Sequence, residues 1–361
     1  MRKLCTVRKV VGIKPIDGAD LIEATQVDNW WCVTKKGEFT VGQEAIFFEI
    51  DSWVPHEIAP FLSKGQDPRE FLGIKGERLK TIKLRKQISQ GLLLPLSHFD
   101  VDWATIDREN LDELFNIELY EREDASTAGG VPRGNFPYFI PKTEQPRIQN
   151  LSGSFLQSIQ NETFEVTIKL DGSSVTMYQL PPNSKYIKQV SKDGELNPEI
   201  QSGTFGVCSK NIDLRRTEGN AFWDIATKVE MESKLKEFAG GRALAIQGEL
   251  IAPNIQKNYE KVAHPQFYVY AMWDIDLQTY LTPKDASALC KLMGINYVPI
   301  LHADLDLSQF GSISDIIAYA DGAGMNPNVK REGLVYKSNQ TTTTFKSISD
   351  SYLLYKEKSG D

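Results

Sequence analysis

Lys169 is followed by Leu170, Asp171, Gly172 and a serine pair, at the end of the run Phe164-Glu-Val-Thr-Ile168, whose apolar residues alternate. Alternation at period two reads as a half-buried strand, and the glycine as the turn that ends it. A lysine amine becomes a nucleophile once it has lost its proton, which needs a special environment. Taken alone, the K-x-D-G spacing also suits a strand that ends in a turn with a solvated lysine. Three further charged groups interrupt apolar β-runs downstream: Glu249 in QGEL at 247–250, Glu332 in REGLVYK at 331–337, and Lys346 in FKS at 345–347. Charge in such a strand is costly unless it is paired or bound to an ion. A solvated sheet edge explains one case; three after a K-x-D-G point to an active site.

The elements that must position these groups fall into two parts. Residues 1–122 read as closely spaced short strands at 21–27, 30–34, 44–50, 79–84 and 91–94, with turn signals at Asp28-Asn29, Lys36-Gly37 and Val41-Gly42. About five such strands suggest a small barrel of OB type. Residues 123–135, ending in a Gly- and Pro-containing run, are expected to be a linker. From 136 to 361 strands and helices mix without regular βαβ alternation, so the expected class is α+β. Strands are expected at 164–170, 174–179, 243–251, 267–273, 333–337 and 341–346. Helices are expected at 220–238, before Gly240-Gly241, and from Thr282-Pro283 to Leu292, closed by Gly294.

The order K-x-D-G-S-S, Q-G-E, aromatic strand, E-G-L-V-Y-K, F-K resembles the covalent nucleotidyltransferases, which include polynucleotide ligases and capping guanylyltransferases. Within them the chain is most similar to RNA ligases with an N-terminal OB module, the Deinococcus and Naegleria class. The stretches PIDGAD at 15–20, VGQEAIFFEIDS at 41–52, KTIKLRKQISQG at 80–91, PKTEQPR at 141–147 and VCSKNIDL at 207–214 share in the similarity. It implies an OB-type barrel followed by a nucleotidyltransferase domain, ATP-grasp-like, of antiparallel sheets plus helices.

The resemblance also implies roles. Lys169 attacks the α-phosphorus of ATP, expels pyrophosphate and holds AMP as a phosphoramidate. A free lysine is mostly protonated at neutral pH, and nearby carboxylates hold it so. A hydrated Mg²⁺ (or Mn²⁺) at Asp171, Glu249 and Glu332 would resolve that conflict. Lys346 would stabilise charge on the α-phosphate. Gly172, Arg147, Lys210 and Lys337 are expected around the nucleotide, with adenine against Tyr270, which the resemblance favours, although alternation puts Tyr268 on the same face. Many relatives carry a second lysine two positions after the one matching Lys346; this chain has Ile348 there. RNA with 3′-OH and 5′-phosphate ends is the implied substrate. Lys80, Lys83, Arg85 and Lys86 of the N-terminal module are candidate RNA contacts, or a lysine-guarded sheet edge.

Bulk properties set limits. With 361 residues, 41% hydrophobic and 25% charged, the chain suits two soluble domains. A net charge of −7 argues that any nucleic-acid contact is a local basic surface. No run is apolar and long enough to span a membrane, and the start lacks a secretory h-region, so a cytoplasmic protein is expected. Four scattered cysteines and four scattered histidines form no zinc pattern. The rivals are a DNA ligase or capping enzyme, whose OB domain follows the Lys346 motif, and a noncatalytic OB-type RNA-binding protein.

Overall fold

The computed structural model describes residues 2–120, 130–151, 154–187 and 204–358. In the N-terminal part, five antiparallel strands lie in the order Leu92–Pro95, Glu44–Phe48, Cys5–Pro15, Ile22–Val27, Trp30–Lys35. Period-two alternation gives the Glu44–Phe48 strand two apolar faces. Ala45 and Phe47 pack with Val10, Trp30 and Leu93, whereas Ile46 and Phe48 pack with Leu4, Val54 and Leu111. A second sheet runs Glu118–Leu119, Ser52–Pro55, Ile74–Arg78, Arg69–Phe71, and Thr81–Leu84 pairs with Gln87–Gln90 as a separate hairpin. The long first strand was not expected from the sequence. Its charged residues break the apolar alternation, and its register shifts between Val10 and Gly12.

Two sheets face each other in the second part. The larger runs Pro132–Asn135, Ile212–Leu214, Thr204–Cys208, Ser173–Leu180, Leu244–Ile251, Gln266–Asp274, Thr279–Tyr280. Helices Ala221–Lys228, Met231–Phe238 and Pro283–Met293 bury their apolar residues against it. The smaller sheet runs Ile300–Asp306, Thr163–Lys169, Gly333–Ser338, Thr344–Ile348, with helix Ile313–Tyr319 behind it.

Three details differ from the sequence reading. The stretch 220–238 is two helices, because Glu230 adopts a left-handed backbone (φ 55°) that lets Met231 turn wholly into the core. Thr341 and Thr343 belong to the turn before the last strand, where the Thr341 hydroxyl accepts from the Thr343 amide at 3.1 Å. Of the expected linker, 123–129 lies outside the described residues, and Pro132–Asn135 pairs with Ile212–Leu214 at the larger sheet's edge.

The two parts are joined by polar contacts as well as apolar ones. Asn150 accepts from the Trp30 indole at 2.8 Å and donates to Glu49 at 3.0 Å. The C-terminal helix Asp350–Lys358 reaches back to the N-terminal hairpin: Gln90 donates to Asp350 at 2.9 Å, and Lys80 pairs with Glu357 at 3.1 Å.

Candidate active site

Lys169 ends its strand opposite Gly333, which brings the preceding Glu332 beside it. The chain then crosses through Leu170–Gly172 to the larger sheet, where Ser174 lies opposite Glu249. A methyl group on Gly172 would overlap the Leu250 carbonyl oxygen and come within 3.0 Å of Glu249 Cγ. The glycine therefore permits the close crossing that puts lysine and glutamate on one cavity wall. That cavity, about 710 Å³, opens between the sheets and is lined by Lys169, Glu249, Tyr270, Lys337 and Lys346, among others. Its size suits a nucleotide.

Lys169 Nζ is 2.9 Å from Glu332 Oε2. Burial pulls the Lys169 pKa down, but Glu332, Glu249 and Asp171 together outweigh it and hold the amine well above its ordinary value. Withdrawal from water pushes Glu249 up to about 8, against Lys169, with Glu332 and Asp171 adding like charge. Asp171 is raised to about 6, first by burial and then by Glu332. Three carboxyl groups thus crowd round Lys169, where their like charges help to raise Asp171 and Glu249.

Lys346 is pushed down to about 7 by burial and by the neighbouring Lys169 and Arg147. Lys337 is lowered to about 8 by burial, and its ammonium donates to the Tyr270 carbonyl. A bulge separates the two tyrosines: Gln247 pairs with Ala271 and Gly248 with Val269, leaving Tyr270 as the extra residue. Tyr270 lines the cavity with its hydroxyl between Ser174 (2.9 Å) and Thr143 (3.0 Å), while Tyr268 bonds Gln266 at 2.7 Å. Lys210 is exposed at the cavity rim. Arg147 pairs through its guanidinium with Asp51 of the N-terminal part at 3.3 Å, while its buried Nη1 has no hydrogen-bond partner among the described residues. Lys80 likewise faces Glu357, leaving Lys83, Arg85 and Lys86 as the exposed basic residues of the hairpin.

Two site residues escaped the sequence reading. Glu260, only 2% exposed, accepts from the Asp171 amide at 3.2 Å and is raised to about 7, chiefly by burial. It sits in a loop, where no strand pattern flags it. Lys356, on the C-terminal helix, puts Nζ 3.4 Å from Asp171 Oδ1. The N-terminal part also reaches the cavity wall, through Arg78 and Tyr120.

Among the described residues, no three carboxylate, imidazole or thiolate groups converge into a direct metal cage. Asp171, Glu249 and Glu332 surround the lysine without closing on a shared point. Buried Asp171 Oδ2 and Glu260 Oε2 have no hydrogen-bond partner among the described residues. Hard oxygen donors with unmet charge fit a divalent ion that keeps most of its waters, as Mg²⁺ does.

The family model described as RNA ligase matches residues 162–350, a span that carries Lys169, Glu249, Glu332 and Lys346. This chain belongs to the RNA ligase family. An OB-fold domain model matches residues 4–96 of the same enzyme. Among solved structures, it is similar to Naegleria gruberi RNA ligase with PPi, at 39% identity and a TM-score of 0.86, covering 99% of this chain and 100% of that one. A lysine-to-alanine mutant of the Naegleria gruberi enzyme with ATP and Mn matches at 39% identity and a TM-score of 0.85, covering 98% and 99%. No curated protein matches the chain significantly in sequence. Two parts of the sequence reading are thereby met: an α+β RNA ligase domain preceded by an OB-fold. No described helix is long and apolar enough to cross a membrane.

Proposed function

We propose that this RNA ligase uses ATP to join a 3′-OH to a 5′-phosphate through a lysyl-adenylate on Lys169. The observation that carries the reading is the Lys169–Glu332 pair at 2.9 Å in the wall of a nucleotide-sized cavity that Lys346 and Tyr270 also line. Likeness to a ligase solved with ATP and Mn supports it.

In the first step Lys169 Nζ loses protons to water and forms a bond to the α-phosphorus, while the bond to the pyrophosphate oxygen breaks and pyrophosphate leaves. Glu332 orients the amine. Lys346, lowered to about 7 by its surroundings, becomes fully protonated against the phosphates and balances charge gathering on the α-phosphate. Tyr270, pinned by two hydroxyls, offers its ring to adenine. A hydrated Mg²⁺ or Mn²⁺ held through Asp171, Glu249 and Glu332 would supply positive charge beside the amine and lower its pKa. AMP then passes from Lys169 to the RNA 5′-phosphate, and the 3′-OH displaces it to close the strand. RNA repair in a reducing cytoplasm suits this chemistry and the four buried, unpaired cysteines.

Incubation with radiolabelled ATP or GTP and Mg²⁺, then denaturing electrophoresis, tests the reading. Label from ATP and not GTP is expected; label from GTP alone would indicate a capping-type enzyme, and no label a binding module.

A further inference from the structure

The strand Thr344–Ile348 presents one lysine to the cavity, Lys346; two residues on, Ile348 is sealed among Tyr259, Val329 and Tyr352. Beyond that point the C-terminal helix takes over the wall. Lys356 lines the cavity, with Nζ 3.4 Å from Asp171 Oδ1, 3.4 Å from Gln256 Oε1 and 5.4 Å from the Tyr352 ring centre. Tyr352 is the helix's buried residue, so apolar packing alone does little to fix its rotation. Polar contacts from two directions do so instead. From the N-terminal module, Gln90 holds Asp350 at 2.9 Å, while Lys80 and Arg78 hold Glu357 at 3.1 and 3.7 Å. From the catalytic side, the Ser349 amide donates to the Glu332 carbonyl at 2.8 Å. Glu357 neighbours Lys356, so whatever seats Glu357 also seats the lysine.

We propose that Lys356 is a positioning residue for the nucleotidyl-transfer site, delivering a positive charge to Asp171, and that the N-terminal OB module sets its place through Glu357. The inference rests on Lys169 as nucleophile. It makes the OB module part of the ATP step as well as a holder of RNA. Lys356 acts on Asp171 and not on the nucleotide, so its loss slows the reaction without weakening ATP binding.

The test uses the full chain, with single-turnover adenylylation across ATP concentrations. Lys356→Met should lower the maximal rate about tenfold, the scale of one charge-assisted contact, with the half-saturating ATP concentration unchanged within about twofold. Lys356→Arg should restore most of the rate. Glu357→Gln should slow it less, and the double variant should be no slower than Lys356→Met, because the two act in series. Thermal melting checks folding; if the methionine variant unfolds, Lys356→Gln replaces it. A methionine variant as fast as wild type, an arginine variant as slow as methionine, or multiplying effects in the double variant would each overturn the proposal. A wild-type chain that takes no label would instead overturn the nucleophile reading, and this proposal with it.

Discussion

Glu332 Oε2 lies 2.9 Å from Lys169 Nζ, so the residue that aims the amine also keeps it protonated. The pair aligns a nucleophile and silences it at once. Lys169→Met should abolish labelling by ATP, while sealing of pre-adenylylated RNA survives, because that substrate bypasses the amine. Glu332→Ala and Glu249→Ala should each slow labelling on the order of a hundredfold. Gel assays decide the matter, and a labelled Lys169→Met chain would mean another nucleophile.

The pH dependence of metal use follows from Glu249, raised to about 8, and Asp171, raised to about 6. Below these values the carboxyls carry protons that a cation must displace; above them they are charged and attract it. Mg²⁺ affinity should therefore rise from pH 6 to pH 8, with the half-saturating concentration falling about tenfold per proton released per pH unit. Mg²⁺ titrations of labelling at pH 6, 7 and 8 read this directly. A constant half-saturation point would remove these two carboxyls from metal binding.

Tyr270 and Tyr268 make opposite predictions. If Tyr270 stacks on adenine, Tyr270→Ala should raise the half-saturating ATP concentration roughly tenfold or more, given about 1–3 kcal/mol for base–aromatic stacking. Tyr270→Phe keeps the ring and should cost far less. Tyr268→Ala should leave ATP use nearly unchanged, and the reverse pattern would assign adenine to Tyr268.

At the tip of the N-terminal hairpin, Arg85 and Lys86 both have positive φ, 48° and 71°. That is the two-residue turn in which Asn-Gly is favoured. Replacing Arg85-Lys86 by Asn-Gly should keep the fold, with stability equal or about 0.5–1 kcal/mol higher. It should also weaken sealing at raised salt while leaving labelling intact, if these bases contact RNA phosphates. Sealing that tracks wild type at every salt concentration would free the hairpin tip from that role.

Asp51 faces Arg147 at 3.3 Å and Arg78 at 2.8 Å. Burial raises its pKa, but Arg147, Arg2 and Arg78 outweigh burial and hold it below the ordinary carboxylate value. A depressed pKa stabilises the fold above the unfolded value, near pH 4, and that share is lost as pH falls through the folded value. Asp51→Asn should cost on the order of 2 kcal/mol at neutral pH and flatten the fall of melting temperature below pH 4. An unchanged acid profile would contradict this.

Much of the site was legible because strand chemistry is local. A charge set in an apolar alternation announces itself, and Lys169, Glu249, Glu332 and Lys346 all did. Glu260 and Lys356 did not, since a loop and a weakly amphipathic helix carry no periodic signal that a buried charge could violate. The bulge at Tyr270 was invisible for a related reason: alternation assumes an unbroken register. The pairing of Arg147 with Asp51 was invisible because the two are distant in sequence and belong to different modules. The helix break at Glu230 lacked a Gly or Pro to mark it.

Arg78 and Tyr120 reach the cavity from the N-terminal module, and Lys356 from the far end of the chain. If those distant segments are needed to hold the nucleotide, self-labelling with AMP reads out the docking of both modules, and the labelled fraction of a preparation tracks its native molecules. A protease cut that lets either wall drift should silence the enzyme while both halves keep their secondary structure.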